Sequence, residues 1–110
     1  MFSNEPRSKT DQLVKDRGSL YGRPLENHSL TKHLFRPFEQ RFSRVKWDVF
    51  KSSATADAIS VCVFNIMQKL SRAAHSPTHR DHWEDIKGYA ENILMILDEE
   101  ERAERDGKGS

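Results

Sequence analysis

The chain holds a single cysteine, Cys62, which excludes any internal disulfide framework. Cys62 lies in an apolar run and reads as a buried, inert small hydrophobe. No apolar stretch approaches the ~20 residues that span a bilayer, and no signal-peptide pattern is present, so the expected setting is cytoplasmic. An excess of one charge sign is missing too, with 18 Lys and Arg against 17 Asp and Glu. A broad nucleic-acid surface normally shows a basic excess, so that class has no support. Strand signals are almost absent, with no sustained alternation and no Asn-Gly or Asp-Gly hairpin turn between alternating runs. There is no internal repeat, and no GxSxG, Walker loop or Cys/His nucleophile arrangement.

What remains is helical spacing over 110 residues, a single-domain length. Much of the 32% charged content sits at the ends, "MFSNEPRSKTDQ" and "DEEERAERDGKGS". The expected organisation is a flexible start over 1–7, a helical domain over 8–98 and a charged, fraying tail over 99–110. A first helix is predicted over 8–20, ending near "YGRP" where Gly22 and Pro24 punctuate the chain. A second begins near Glu26 and carries Leu30, Leu34, Phe38 and Phe42. Pro37 should kink or split it, because proline removes a hydrogen bond and clashes with the preceding turn. "VKWDVFKSSAT" reads as a connector with a short helical turn. "TADAISVCVFNIMQKLSRAA" reads as a central helix with Thr55 as N-cap. "HSPTH" is a short link, and a last helix starts near His79. So short a link predicts an antiparallel hairpin. The fold class is all-α, a bundle of about four helices.

Helical projection separates two faces on each of the later helices. The central helix has an apolar stripe of Ile59, Cys62, Val63, Ile66, Met67 and Leu70, with Asp57, Asn65, Gln68, Lys69 and Arg72 opposite. The last helix has Trp83, Ile86, Ala90, Ile93 and Leu97, with Tyr89 at the margin. Its opposite strip joins Asp81, Asp85, Gly88 and Asn92. A solvent-facing side explains the aspartates, but Gly88 points to the close approach of a backbone or ligand. Asp81 and Asp85 suit a divalent cation, since hard cations prefer carboxylate oxygens. Lys69 and Arg72 suit phosphate oxygens, or simply complement a helix C-terminus. Tyr21 is a stacking ring or a core tyrosine. Of His75, His79 and His82, only the last two share a face, which argues against zinc.

Three blocks, "DRGSLYGRPLENH", "KLSR" and "HRDHWEDIKGYA", together resemble a family of small, mostly phage-encoded helical proteins. Its members show an acid-Arg pair ahead of Tyr-Gly and an Asn, then Lys-x-x-Arg, then Asp-x-x-x-Asp-Ile-x-Gly-Tyr-Ala. The match covers roughly residues 11 to 97. That family looks like a distant relative of the all-α nucleoside triphosphate pyrophosphatases, the MazG and dimeric dUTPase group, and is linked by gene context to phage nucleotide metabolism and base modification. The resemblance implies a MazG-like core, with Arg17, Tyr21, Asn27, Lys69 and Arg72 contacting nucleotide. It also implies magnesium on Asp81 and Asp85, which take the place of the later acidic pair. The earlier Glu-x-x-Glu pair of the pyrophosphatases is missing; Asp57 and Glu26 are its nearest substitutes, and Glu39 is isolated.

The leading expectation is therefore a nucleotide-binding protein that sequesters or recognises a modified or signalling nucleotide. A magnesium-dependent nucleotide pyrophosphohydrolase with an abbreviated site is the alternative, followed by a protein-interaction module acting on a host factor. A homodimer is the default assembly, because the monomer core is modest.

Overall fold

A computed structural model describes residues 22–109, which form three helices: α1 (Pro24–Val49), α2 (Ser53–His75) and α3 (Arg80–Gly109). No strand occurs among the described residues. The helix expected over 8–20, together with Arg17 and Tyr21, lies outside them. None of the described helices is long and apolar enough to cross a membrane.

Pro24 opens α1 within its first turn, where the fixed φ suits a helix and the missing N–H has no intrahelical partner to lose. Of the two expected effects of Pro37, a kink or a split, the split does not occur: α1 passes through Pro37 as one helix. Pro37 faces solvent, so water reaches the backbone groups it frees, while the phenylalanines on either side hold the helix to the bundle. α1 and α2 between them also absorb most of the segment expected to be a connector, leaving only residues 50–52 between them. The N-cap of α2 is Ser52 rather than Thr55. The Ser52 hydroxyl accepts the Thr55 N–H at 3.3 Å, which places Thr55 inside the first turn. The charged stretch expected to fray after residue 98 continues α3 as helix to Gly109.

α2 is the middle element, packed on α1 along one side and on α3 along the other. Phe35, Ile59 and Val63 are the buried centre, with Phe38, Phe42, Phe50, Met67, Ile93, Ile96 and Leu97 packed around them. Phe38 and Phe42 stack at 5.1 Å, and Phe35 meets Phe64 edge-on at 5.3 Å. The Phe35–Phe64 contact binds α1 to α2 beyond the area it buries, while the Phe38–Phe42 stack lies within α1.

The inward stripe of α3 keeps Ile86, Ile93 and Leu97 of the expected one and loses Trp83 and Ala90. His82, Tyr89, Ile96 and Glu100 also face inward to differing degrees, at the four-three spacing that keeps one side of a helix on its neighbour. Trp83 falls on the flank at 46% exposed, and Ala90 is exposed as well. Trp83 is held there because its indole N–H donates to Pro77 O at 2.8 Å, which ties the first turn of α3 to the link before it. Cys62 is half-buried rather than fully enclosed.

Candidate functional site

One end of the bundle gathers the start of α1, the end of α2 and the start of α3. Two helix N-termini, each with partial positive charge, thus meet beside a C-terminus. All five histidines of the chain belong to these segments: His28 and His33 on α1, His75 on α2, His79 before α3 and His82 within it.

The seam between α1 and α2 here is polar. Thr31 Oγ1 donates to Asn27 O at 2.7 Å and lies 2.9 Å from Ser71 Oγ, which in turn reaches Met67 O at 3.0 Å. Thr31 and Ser71 are 3% and 2% exposed, so the contact fixes the register of the two helices from a dry interior. Gly22 turns the chain into this corner with φ +84°, a backbone conformation that side chains with a Cβ resist. A Cβ there would stand 3.1 Å from Asn27 Oδ1 and 3.1 Å from the His75 ring. Gly22, Asn27 and His75 therefore converge. Across α2, His82 is almost completely buried and its ring meets that of His79 edge-on at 4.7 Å.

The cations and the aspartates meet as well. Lys69 Nζ bonds Asp85 Oδ2 at 2.8 Å across the α2–α3 seam. That bond, above all, lowers the carboxyl pKa of Asp85 below its ordinary value; the charges of Lys69, His82 and Arg72 act in the same direction, and desolvation opposes them. Asp81 stays 83% exposed, with His79 Nε2 at 3.7 Å from its carboxylate.

The proposed metal set does not assemble around a shared centre. Asp85 is committed to Lys69, and Asp57 sits at the far end of the antiparallel α2–α3 pair. Among the described residues no group of three or more His, Cys, Asp or Glu is placed to hold a metal ion. The expected close approach at Gly88 is also not supplied by the described residues, since a Cβ there would meet none of them within 4 Å. The glycine costs its helix roughly 1 kcal/mol relative to alanine with no internal steric reason for it.

A family model described as a domain of unknown function, DUF6378, matches residues 8–94. The chain belongs to the DUF6378 family. No curated protein and no solved structure matches it. Within the DUF6378 match lie α1, α2 and α3 as far as Leu94, hence every described residue of the polar end.

Of the residues proposed from sequence, Asn27, Lys69, Arg72, Asp81 and Asp85 all fall at this end, while Asp57 and Gly88 do not join it. Sequence reasoning missed Gly22, Thr31, Ser71, His75 and His82 as parts of it. Thr31 was open to discovery: it lies four residues before Phe35 on the stripe that continues through Phe38 and Phe42.

At the other half of the α2–α3 pair runs an open groove of about 490 Å³. Asp57, Val61, Cys62, Asn92, Met95 and Glu99 line it, with Val61 59% and Met95 60% exposed.

Proposed function

We propose that this DUF6378 protein binds a nucleotide through its phosphates at the histidine-rich end of the bundle. The observation that carries the reading is that two polar pairs, Lys69 and Arg72 beside Asp85 at the α2–α3 seam and Asn27 and His75 beside Gly22 at the α1–α2 seam, lie at the end where two helix N-termini meet. Helix N-termini offer unsatisfied N–H groups to anions, and an arginine fork matches phosphate oxygens in pairs. The blocks that resemble the phage-type family, with its MazG-like relatives, supply the same residues: Asn27 in the first, Lys69 and Arg72 in the second, Asp81 and Asp85 in the third. Arg17 and Tyr21 complete the reading from sequence, as a further cation and a ring on which a base stacks.

Binding without turnover fits the acids better than hydrolysis. A pyrophosphohydrolase of the usual kind needs carboxylates gathered on shared magnesium ions. Here Lys69 occupies Asp85, and Asp57 is remote. The role that follows is sequestration or recognition, with a modified or signalling nucleotide as the ligand class and the cytoplasm as the setting. Native mass spectrometry of the protein purified from a nucleotide-rich lysate tests this. A bound mass that carries phosphate and is lost in Arg72→Ala supports the reading. An adduct-free spectrum, even with added nucleoside triphosphate, counts against it.

A further inference from the structure

Gly88 lies on the outer side of α3, two turns before Met95, and Asn92 lies between them on the same strip. A small residue with nothing above it and an exposed, flexible side chain share one surface at a spacing of about 10 Å along the axis. Val61 adds a second exposed apolar side chain from α2 across the groove. On one copy these features satisfy nothing. They become complementary when the surface is presented to itself in reverse.

We infer that the outer α2–α3 face is a two-fold interface between copies of this chain, with Met95 of each copy seated over Gly88 of the other. The two-fold axis crosses α3 between Glu91 and Asn92, so α3 runs antiparallel to the partner's α3 and α2 to the partner's α2. In this register the Val61 side chains of the two copies lie side by side near the axis. Asp57, at the acidic end of the groove, comes over the partner's Lys69, and Asp81 over the partner's Arg102. Glu84 and the partner's Glu99 also approach, a repulsion at the rim where water and salt screen it. Two packed helices present a face about 20 Å wide. From Asp57 to Arg72 that face is about 30 Å long with its side chains. The resulting area of roughly 600 Å² per copy, before corrugation, approaches the ~800 Å² per partner of a stable interface. The methionine is suited to the seat because its thioether stem adapts to an irregular surface.

Lys69 and Arg72 lie at the edge of this face, so the interface borders the proposed nucleotide site, but the inference does not rest on nucleotide binding and its test reads association and register without nucleotide. In a Cys62→Ser background, Gly88→Cys and Met95→Cys are introduced singly and together, and the protein is oxidised and run on a non-reducing gel. Residues two turns apart on one helix are too distant for a disulfide within a chain, and each single variant places its two thiols on opposite sides of the axis. The double variant should convert largely to a covalent dimer while both singles stay monomeric. A double variant that stays monomeric overturns the register. Sedimentation of the unmodified chain at tens of micromolar should give a dimer. Val61→Glu with Met95→Glu, both at exposed positions, should shift it at least tenfold toward monomer with unchanged helical circular dichroism. A monomeric unmodified chain, or a dimer indifferent to the two glutamates, overturns the interface.

Discussion

Replacing Ser71 with alanine and Thr31 with valine, singly and together, isolates the polar lock between α1 and α2. Two hydroxyl protons serve three contacts there, at 2.7, 2.9 and 3.0 Å, so only two are filled at any moment. Ser71→Ala leaves Thr31 donating to the Asn27 carbonyl, and Thr31→Val leaves Ser71 donating to the Met67 carbonyl. Neither change strands a donor, so each should cost about 1 kcal/mol, the net worth of an ordinary hydrogen bond, rather than the larger penalty of an orphaned group. The parent fills two hydrogen bonds, each single variant keeps one and the double variant keeps none, so the double should lose about 2 kcal/mol with a coupling near zero, although the two hydroxyls touch. Urea unfolding followed by circular dichroism, with the slope unchanged across the series, measures all four corners of the cycle. A coupling larger than about 0.5 kcal/mol, of either sign, would refute the reasoning.

Gly22→Ala should destabilise the fold by about 1–2 kcal/mol, since its φ of +84° and the neighbours at 3.1 Å both oppose a Cβ; a midpoint equal to that of the parent in thermal unfolding would contradict this. Gly88→Ala should do the opposite and stabilise the isolated chain by roughly 1 kcal/mol, because open space surrounds the site; thermal unfolding at low micromolar concentration is the check, and a loss of stability there contradicts it. Asp85 has a lowered folded pKa, so its ion pair adds stability above the unfolded carboxyl value, and that stability is lost as pH falls through the folded one. In Lys69→Ala the Asp85 carboxyl should titrate closer to its ordinary 3.8, and carboxyl carbon NMR against pH would show an unmoved midpoint if the Lys69 bond were not the cause. Ser52→Ala should lower stability by about 1 kcal/mol through loss of the α2 N-cap, whereas Thr55→Val should not remove a cap; urea midpoints that show Thr55 as the costlier change would contradict the assignment.

The helical class and the antiparallel α2–α3 pair are readable from spacing alone, because a four-residue link between two amphipathic stretches admits little else. The cross-seam approach of Lys69 to Asp85 follows from that hairpin. Finer placement fails where side-chain chemistry overrides hydrophobicity. Trp83 scores as core, yet its N–H is drawn to a loop carbonyl. His82 scores as polar, yet it takes the inward position one residue earlier, while Ile86, Ile93 and Leu97 stay inward as expected. Pro37 reads as a break, but flanking aromatics and solvent on its free side let α1 continue. Gly88 is visible as an anomaly in sequence, and no described residue packs against it.

The central claim is that the histidine-rich end binds nucleotide phosphates, and calorimetric titration with a nucleoside triphosphate tests it most directly. One saturable site per chain is expected in the parent protein. Arg72→Ala should weaken it by about tenfold or more, in line with the loss of a charge-assisted hydrogen bond worth about 1.5–3 kcal/mol, while the exposed control Lys87→Ala leaves it unchanged. No saturable heat in the parent, or equal affinity in parent and Arg72→Ala, would contradict the account.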